Sequence, residues 1–265
     1  MHAFNYHRPA SSKDAVSLSS KNAEGRYLAG GQSLVQAMKL RLSSPTDLID
    51  LGTIKDLAGI KVSGSTVEIG AMTRHADVAA SAEVKKAIPA LAALAAMIGD
   101  RQVRHMGTIG GSLANNDPAA DYPAAALGLG ATITTNKRKI EADKFFTGLY
   151  ETALEPGELI TSVSFPAPKR AAYMKFKNPA SRFAIVGVFV ADFGGKVRVG
   201  VTGAGPSAFR QADMEKALSA KFAPESVANM KVKADGLNND LHASPEYRAH
   251  LVTVMAKRAV EAALK

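Results

Sequence analysis

Two stretches, Ala29-Gly30-Gly31-Gln32-Ser33 and Thr108-Ile109-Gly110-Gly111-Ser112, carry one pattern: a Gly-Gly pair followed within two residues by a hydroxyl. A backbone without Cβ atoms can approach a bulky anion, and its exposed N–H groups can donate to phosphate oxygens. Ser33 and Ser112 can add hydroxyl donors, and Thr108 can do the same from the other end of its stretch. A lone Gly-Gly is as readily a tight turn. Two of them, about eighty residues apart, point to a single diphosphate held between two lobes. Neither is the Gly-x-Gly-x-x-Gly dinucleotide fingerprint, and no Walker lysine follows. Ordinary NAD binding and nucleotide hydrolysis are therefore disfavoured. Downstream, Asp117-Pro118 and Asp121 with Pro123 can start a helix by capping. Asp121 can equally accept from a cofactor hydroxyl, and one side chain can do either job.

Composition removes other chemistries. The chain has 265 residues and no cysteine, so it builds no disulfide, thiolate zinc site, cysteine-ligated iron–sulfur cluster or cysteinyl-flavin bond. The six histidines include no H-x-H or H-x-x-x-H pair, and no metal site is expected. The net charge of +9 is spread over short clusters such as Lys85-Lys86 and Lys137-Arg138-Lys139. No basic stretch is interleaved with aromatics, and nucleic acid is not an expected partner. No apolar run reaches the ~18–20 residues that cross a bilayer. The start of the chain lacks a signal-peptide core, so no integral membrane segment and a cytoplasmic location are expected.

The elements that must position these residues follow from periodicity and breakers. Arg26 to Ala29 reads as a short strand before the first glycine pair. Ser33 then caps a helix with Leu34, Met38 and Leu42 on one face, stopped by Pro45, and Leu48 to Leu51 resumes as a strand. Lys61–Ser63 and Thr66–Ile69 flank a Gly64-Ser65 hairpin turn. One helix is expected from Val84 through Ile88, Leu91 and Leu94 to about Ile98, ended by Gly99-Asp100. A helix over 124–129 and strands over 131–134 and 159–163 complete this part. Beyond Pro166 and Pro168, strands over 173–176, 185–193 and 197–202 are followed by helices over 209–218, 224–230 and 247–264. The expected organisation is α+β, with segments 1–56, 57–168 and 169–265.

Several of these stretches resemble one family closely. They are Gly30-Gly31-Gln32-Ser33-Leu34, Gln102-Val103-Arg104, Thr108 to Ala114, and Asp117-Pro118-Ala119-Ala120-Asp121. Phe4-x-Tyr6-x-Arg8-Pro9, Ile69 to Thr73, Tyr173-x-Lys175-Phe176 and Tyr247-Arg248-x-x-Leu251 extend the similarity over essentially the whole chain. The family is the FAD-binding medium subunit of molybdenum hydroxylases, of the aerobic carbon monoxide dehydrogenase and xanthine dehydrogenase type. The resemblance implies two α/β subdomains clasping FAD in a PCMH/VAO-type fold, plus a C-terminal domain of three antiparallel strands and helices. By position, Ala29 to Ser33 with Leu34, and Thr108 to Ser112, would wrap the FAD diphosphate. Asn115 would lie against the cofactor, Asp121 would accept from a cofactor hydroxyl, and Lys175 would stand near the flavin ring. Phe183 stands where relatives often carry tyrosine beside the isoalloxazine, and an ordinary core phenylalanine is the competing reading. Asn116 stands where relatives often have alanine.

The implied function is electron transfer. Substrate would be oxidised on a molybdenum-cofactor large subunit, and electrons would pass through a [2Fe-2S] small subunit to this FAD and on to an external acceptor. A dimer of heterotrimers is implied. The absence of cysteine suits this division, since the clusters must lie on a partner. Two other readings fit the same loops. One is a stand-alone FAD oxidoreductase using NAD(P)H or an organic donor; the other is a nucleotide-binding assembly module without redox activity. Carbon monoxide, a purine, an aldehyde and an N-heterocycle are all compatible with this chain as substrates of the assembly, and its acceptor is equally open.

Overall fold

A computed structural model describes residues 1–265. The chain opens with strand β1 (Asn5–His7), helix α1 (Ser12–Lys21), strand β2 (Arg26–Leu28), helix α2 (Leu34–Lys39) and strand β3 (Asp47–Asp50). The three strands form a parallel sheet in the order β1-β3-β2. Two of these elements, β1 and α1, lie outside the sequence expectation. Helix α1 is started by Ser11, whose side chain accepts from the Asp14 amide at 3.1 Å, an ordinary N-cap. Helix α2 is shorter than its apolar spacing predicts. Arg41 takes φ +60, the Leu42 amide bonds Ala37 O at 2.9 Å and the Arg41 amide bonds Met38 O at 3.1 Å. This is a Schellman ending with arginine in the left-handed position. Leu42 consequently lies outside the helix and is 78% exposed; Pro45 stops nothing.

The middle of the chain forms strands β4 (Ile60–Ser63) and β5 (Thr66–Gly70), then six helices and five further strands. The helices are α3 (His75–Ala80), α4 (Ala82–Ala87), α5 (Pro89–Ala96), α6 (Arg101–Met106), α7 (Ile109–Asn115) and α8 (Tyr122–Leu129). The strands are β6 (Thr132–Thr135), β7 (Lys139–Glu141), β8 (Phe146–Gly148), β9 (Glu151–Thr152) and β10 (Ile160–Pro166). β4-β5-β10-β6-β7 is one antiparallel sheet, and β8 pairs β9 in a separate hairpin. The single helix expected across Ile88 is two. Ile88, at φ −141, precedes Pro89, and the proline ring disfavours helical backbone at the residue before it. Helices α3 and α6 were not expected from the sequence.

The last part is an antiparallel sheet of β11 (Arg170–Lys177), β12 (Ala184–Asp192), β13 (Val197–Thr202) and β14 (Phe209–Arg210). Helices α9 (Ala212–Ala220), α10 (Glu225–Ala228) and α11 (Pro245–Ala263) follow. The sheet gains a short fourth strand at Phe209–Arg210, where helix was expected, because the Val201 and Gly200 positions pair with it. Helix α11 packs its apolar side, including Leu251, Val252, Met255 and Ala259, on β11 and β12. Helix α8 is buried along its whole length. It lies between the middle sheet and the last one, so Tyr122 and Phe165 share one core with Tyr173 and Phe189. No helix is long and apolar enough to cross a membrane.

Candidate functional site

The first glycine stretch crosses from β2 to α2 with its carbonyls used and its amides free. Gly31 O accepts from Val35 N at 3.3 Å and Ser33 O from Ala37 N at 3.0 Å. No backbone amide from Ala29 to Ser33 donates to any group of the chain. Gly31 holds φ +72, a conformation that costs glycine nothing and other residues about 1–2 kcal/mol. Ser33 occupies the N-cap position of α2 but makes no capping bond, which leaves its hydroxyl free. The capping expected of Ser33 is thus corrected: its backbone is helical there, with φ −117 and ψ −55, so the side chain is not set to reach the next turn.

The second stretch is built differently. It is the cap and first turns of α7, and its amides from Ile109 to Ser112 are spent inside the protein. Ile109 N donates to Thr73 O at 3.1 Å, Gly110 N to Ala71 O at 2.8 Å and Ser112 N to Thr108 O at 3.0 Å. Gly111 N donates to Thr108 Oγ1 at 3.1 Å. Of the two stretches expected to offer main-chain amides to an anion, only the first leaves its whole row unengaged; in the second, Ile109 to Ser112 have none to offer. Gly110 is needed for proximity: a Cβ there would lie 2.6 Å from Ala71 Cβ and 2.8 Å from Ala71 O. Beyond the Thr108 amide, the donors left on this side belong to side chains. Ser112 Oγ has no partner in the chain, and the Thr108 hydroxyl, an acceptor for Gly111, keeps its own proton to donate. Ile109 points into the apolar core, away from the cavity.

The two stretches touch. A Cβ on Gly111 would lie 3.4 Å from Ala29 Cβ, and one on Gly30 would be driven into the Met106 carbonyl. Together they wall a cavity of about 530 Å³ whose lining also includes Leu34, Asn115, Asp121 and Phe183. That volume is within the usual range of cofactor sites, roughly 300–1,000 Å³.

At one side of the cavity stands a buried ionic cluster. Lys175 Nζ lies 2.9 Å from Asp121 Oδ2 and donates to Met97 O at 3.2 Å, while Tyr173 OH donates to Asp121 Oδ1 at 2.5 Å. Burial pushes the Asp121 carboxyl up, against the opposing pull of the Lys175 charge and the bonds from Tyr173 and Lys175. Asp121 caps nothing; both its oxygens are engaged by the last sheet. Lys175 stands behind Asp121, off the cavity wall, with its side chain 2% exposed. Phe183 is 48% exposed on the cavity wall, which disposes of the core-residue reading and leaves its ring free to stack.

Sequence reasoning missed four residues here. Asn116 takes φ 42 at the end of α7. Its Nδ2 donates to Gly148 O at 2.9 Å and Glu151 O at 2.7 Å, pinning the β8–β9 hairpin beside the cavity. Tyr150 on that hairpin donates to Asp117 Oδ2 at 3.2 Å. Glu158 also lines the cavity, where burial would raise its carboxyl. Bonds from Arg138, the Glu155 amide and Thr135 outweigh that and hold it at about 2. His75 lines the cavity between the two stretches, its protonation lowered to about 4 by burial and by the charge of Arg104. Only Asn116 carried a signal in the sequence, as a polar residue where alanine is usual.

Free amides at 29–33, free hydroxyls at 33 and 112, side-chain-free contacts at Gly30 and Gly110, and an exposed aromatic ring all suit a flavin dinucleotide. Comparison with known proteins agrees. Residues 2–168 match the family described as FAD binding domain in molybdopterin dehydrogenase. The chain is 37% identical to the carbon monoxide dehydrogenase medium chain of Afipia carboxidovorans, over 98% of this chain and 96% of that one. It is 35% identical to the nicotine 6-hydroxylase medium subunit of Paenarthrobacter nicotinovorans, over 97% and 96%. The solved reconstituted carbon monoxide dehydrogenase from Oligotropha carboxidovorans superposes with a TM-score of 0.91 at 35% identity, covering 99% of this chain and 98% of that one. The fold, the cavity and these relatives together show that the chain belongs to the FAD-binding family of molybdopterin dehydrogenases, as an FAD-binding subunit of a molybdenum-dependent oxidoreductase.

Proposed function

We propose that this chain is the electron-transfer subunit of a carbon monoxide dehydrogenase-like molybdenum hydroxylase. Its partners are a molybdenum-cofactor large subunit and a [2Fe-2S] small subunit, in a cytoplasmic dimer of heterotrimers that delivers electrons to an external acceptor. FAD, which takes up electrons singly or in pairs, supplies the redox chemistry, and the protein supplies binding, orientation and tuning. The amides of Ala29 to Ser33 hold the diphosphate from one side, and Thr108 and Ser112 hold it from the other by their hydroxyls. Leu34 and Asn115 shape the wall between. Phe183 stacks on the ring system. Asp121, kept in place by Tyr173 and Lys175, offers its remaining lone pairs to a cofactor hydroxyl, and Lys175 acts through Asp121.

The observation that carries this reading is the row of five unengaged amides on a cavity wall, in a chain with no cysteine to hold a cluster. Affinity isolation of the tagged chain from its native host tests it. The expected result is a flavin spectrum together with molybdenum- and iron–sulfur-containing subunits. A flavin-loaded chain that oxidises a simple donor alone would overturn the partnership, and a chain that takes up no FAD would overturn the whole reading.

A further inference from the structure

His75 is the one ring at the cavity whose polar atoms the fold leaves unanswered. Its backbone N–H is bonded to Gly107 O at 3.0 Å, which fixes the residue at the start of α3. Neither ring nitrogen has a partner in the chain. Nδ1 is sealed from solvent, and Nε2 is not. The opening over Nε2 is made by Gly107, a wall residue of the same cavity: a Cβ there would lie 2.5 Å from Nε2. Behind the imidazole lies Tyr122, with ring centroids 5.3 Å apart, whose hydroxyl is also buried and unpartnered.

These facts choose the tautomer. A buried N–H without an acceptor costs more than a lone pair without a donor. The proton of the neutral ring therefore belongs on Nε2, the nitrogen that opens outward. The Tyr122 hydroxyl, on the inner side of the ring, is no partner to Nδ1 and leaves that nitrogen without an acceptor.

We propose that His75 is a further cofactor-binding residue, its Nε2–H donating to an oxygen of the bound FAD. This rests on the FAD reading above and extends it. From Ile109 to Ser112 the second glycine stretch has spent its amides inside the protein, so that wall relies on side chains to recognise the anion, and His75 joins Thr108 and Ser112 in doing so. Burial and Arg104 keep the ring uncharged near neutrality, so it serves as a directional donor.

The test is FAD titration of the full cofactor-stripped chain, followed by flavin fluorescence, with thermal melting of each cofactor-free variant alongside. His75→Leu is expected to weaken binding about tenfold or more, the usual worth of one hydrogen bond to a charged oxygen. His75→Gln, whose amide nitrogen reaches the Nε2 position, is expected to recover most of the affinity. His75→Asn, which reaches only the Nδ1 position, is not. The Gln and Asn pair carries the test if the leucine variant does not fold. Equal affinity of native and leucine chains, or equal rescue by Asn and Gln, overturns the assignment. A native chain that binds no FAD overturns the functional reading, and this with it.

Discussion

The two glycine stretches share a pattern and a cavity, yet glycine serves opposite purposes in them. At Ala29 to Ser33 the missing side chains free the backbone: Gly31 adopts a left-handed φ of +72 and the amides are left without internal acceptors. At Thr108 to Ser112 they permit packing: Gly110 lies against Ala71 and every amide from Ile109 to Ser112 is satisfied. One stretch is a donor row kept open for a ligand. The other is a thin, rigid wall that brings side-chain donors close. The same short motif can thus be bought by function at one site and by fold at another.

Adding one methyl group on each side should separate the two roles. Gly110→Ala forces its Cβ into Ala71, and overpacking of this kind costs about 1–3 kcal/mol. We expect the unfolding free energy of the cofactor-free chain to fall by that amount and its melting temperature with it. Gly31→Ala places alanine at a left-handed φ at a cost of about 1–2 kcal/mol, and its larger effect should be in FAD affinity, read by fluorescence titration. If Gly110→Ala leaves the melting of the cofactor-free chain unchanged, the packing role is wrong. The hydroxyls give a finer contrast. Thr108→Val removes a helix cap and should cost the cofactor-free chain about 1 kcal/mol. Ser33→Ala removes no internal bond, so its stability should stay within about 0.5 kcal/mol of native; any loss must appear in FAD binding.

Acid separates the walls too. His75, held at about 4 by burial against an unfolded value of 6.5, is proton-poor in the folded state. The unfolded chain binds the extra proton first, so stability is complete above pH 6.5 and declines as pH falls from 6.5 toward 4. Denaturant melts of the cofactor-free chain across that range should show the decline, and His75→Gln should flatten it.

Much of the fold was legible because local signals were strong. The Gly64-Ser65 hairpin, the Tyr122–Leu129 helix and strands β11 to β13 all carry turn residues or unbroken apolar runs. The errors have identifiable causes. The Leu34, Met38, Leu42 repeat suggested a longer helix, but a Schellman turn at Arg41 ended it and sent Leu42 into solvent. Ile88 fitted the apolar face of a helix, yet Pro89 broke the helix at that residue. β1 and α1 escaped because three-residue strands and a mostly polar helix carry little periodicity. In the site, the glycine pairs and Asp121 could be picked out by type and spacing, and Phe183 only through the family resemblance. His75 and Tyr150 could not, since an isolated histidine or tyrosine has no signature.

What the amino-acid sequence determined by itself was chemistry by inventory. The absence of cysteine forbids the chain its own iron–sulfur cluster, and two side-chain-free segments ahead of hydroxyls mark where an anion can come close. Only the tertiary structure decided which amides remain available, because a backbone N–H is free or spent according to which distant carbonyl reaches it. Thr73 and Ala71, some forty residues from the second stretch in sequence, take those protons. No residue type near Gly110 announces it.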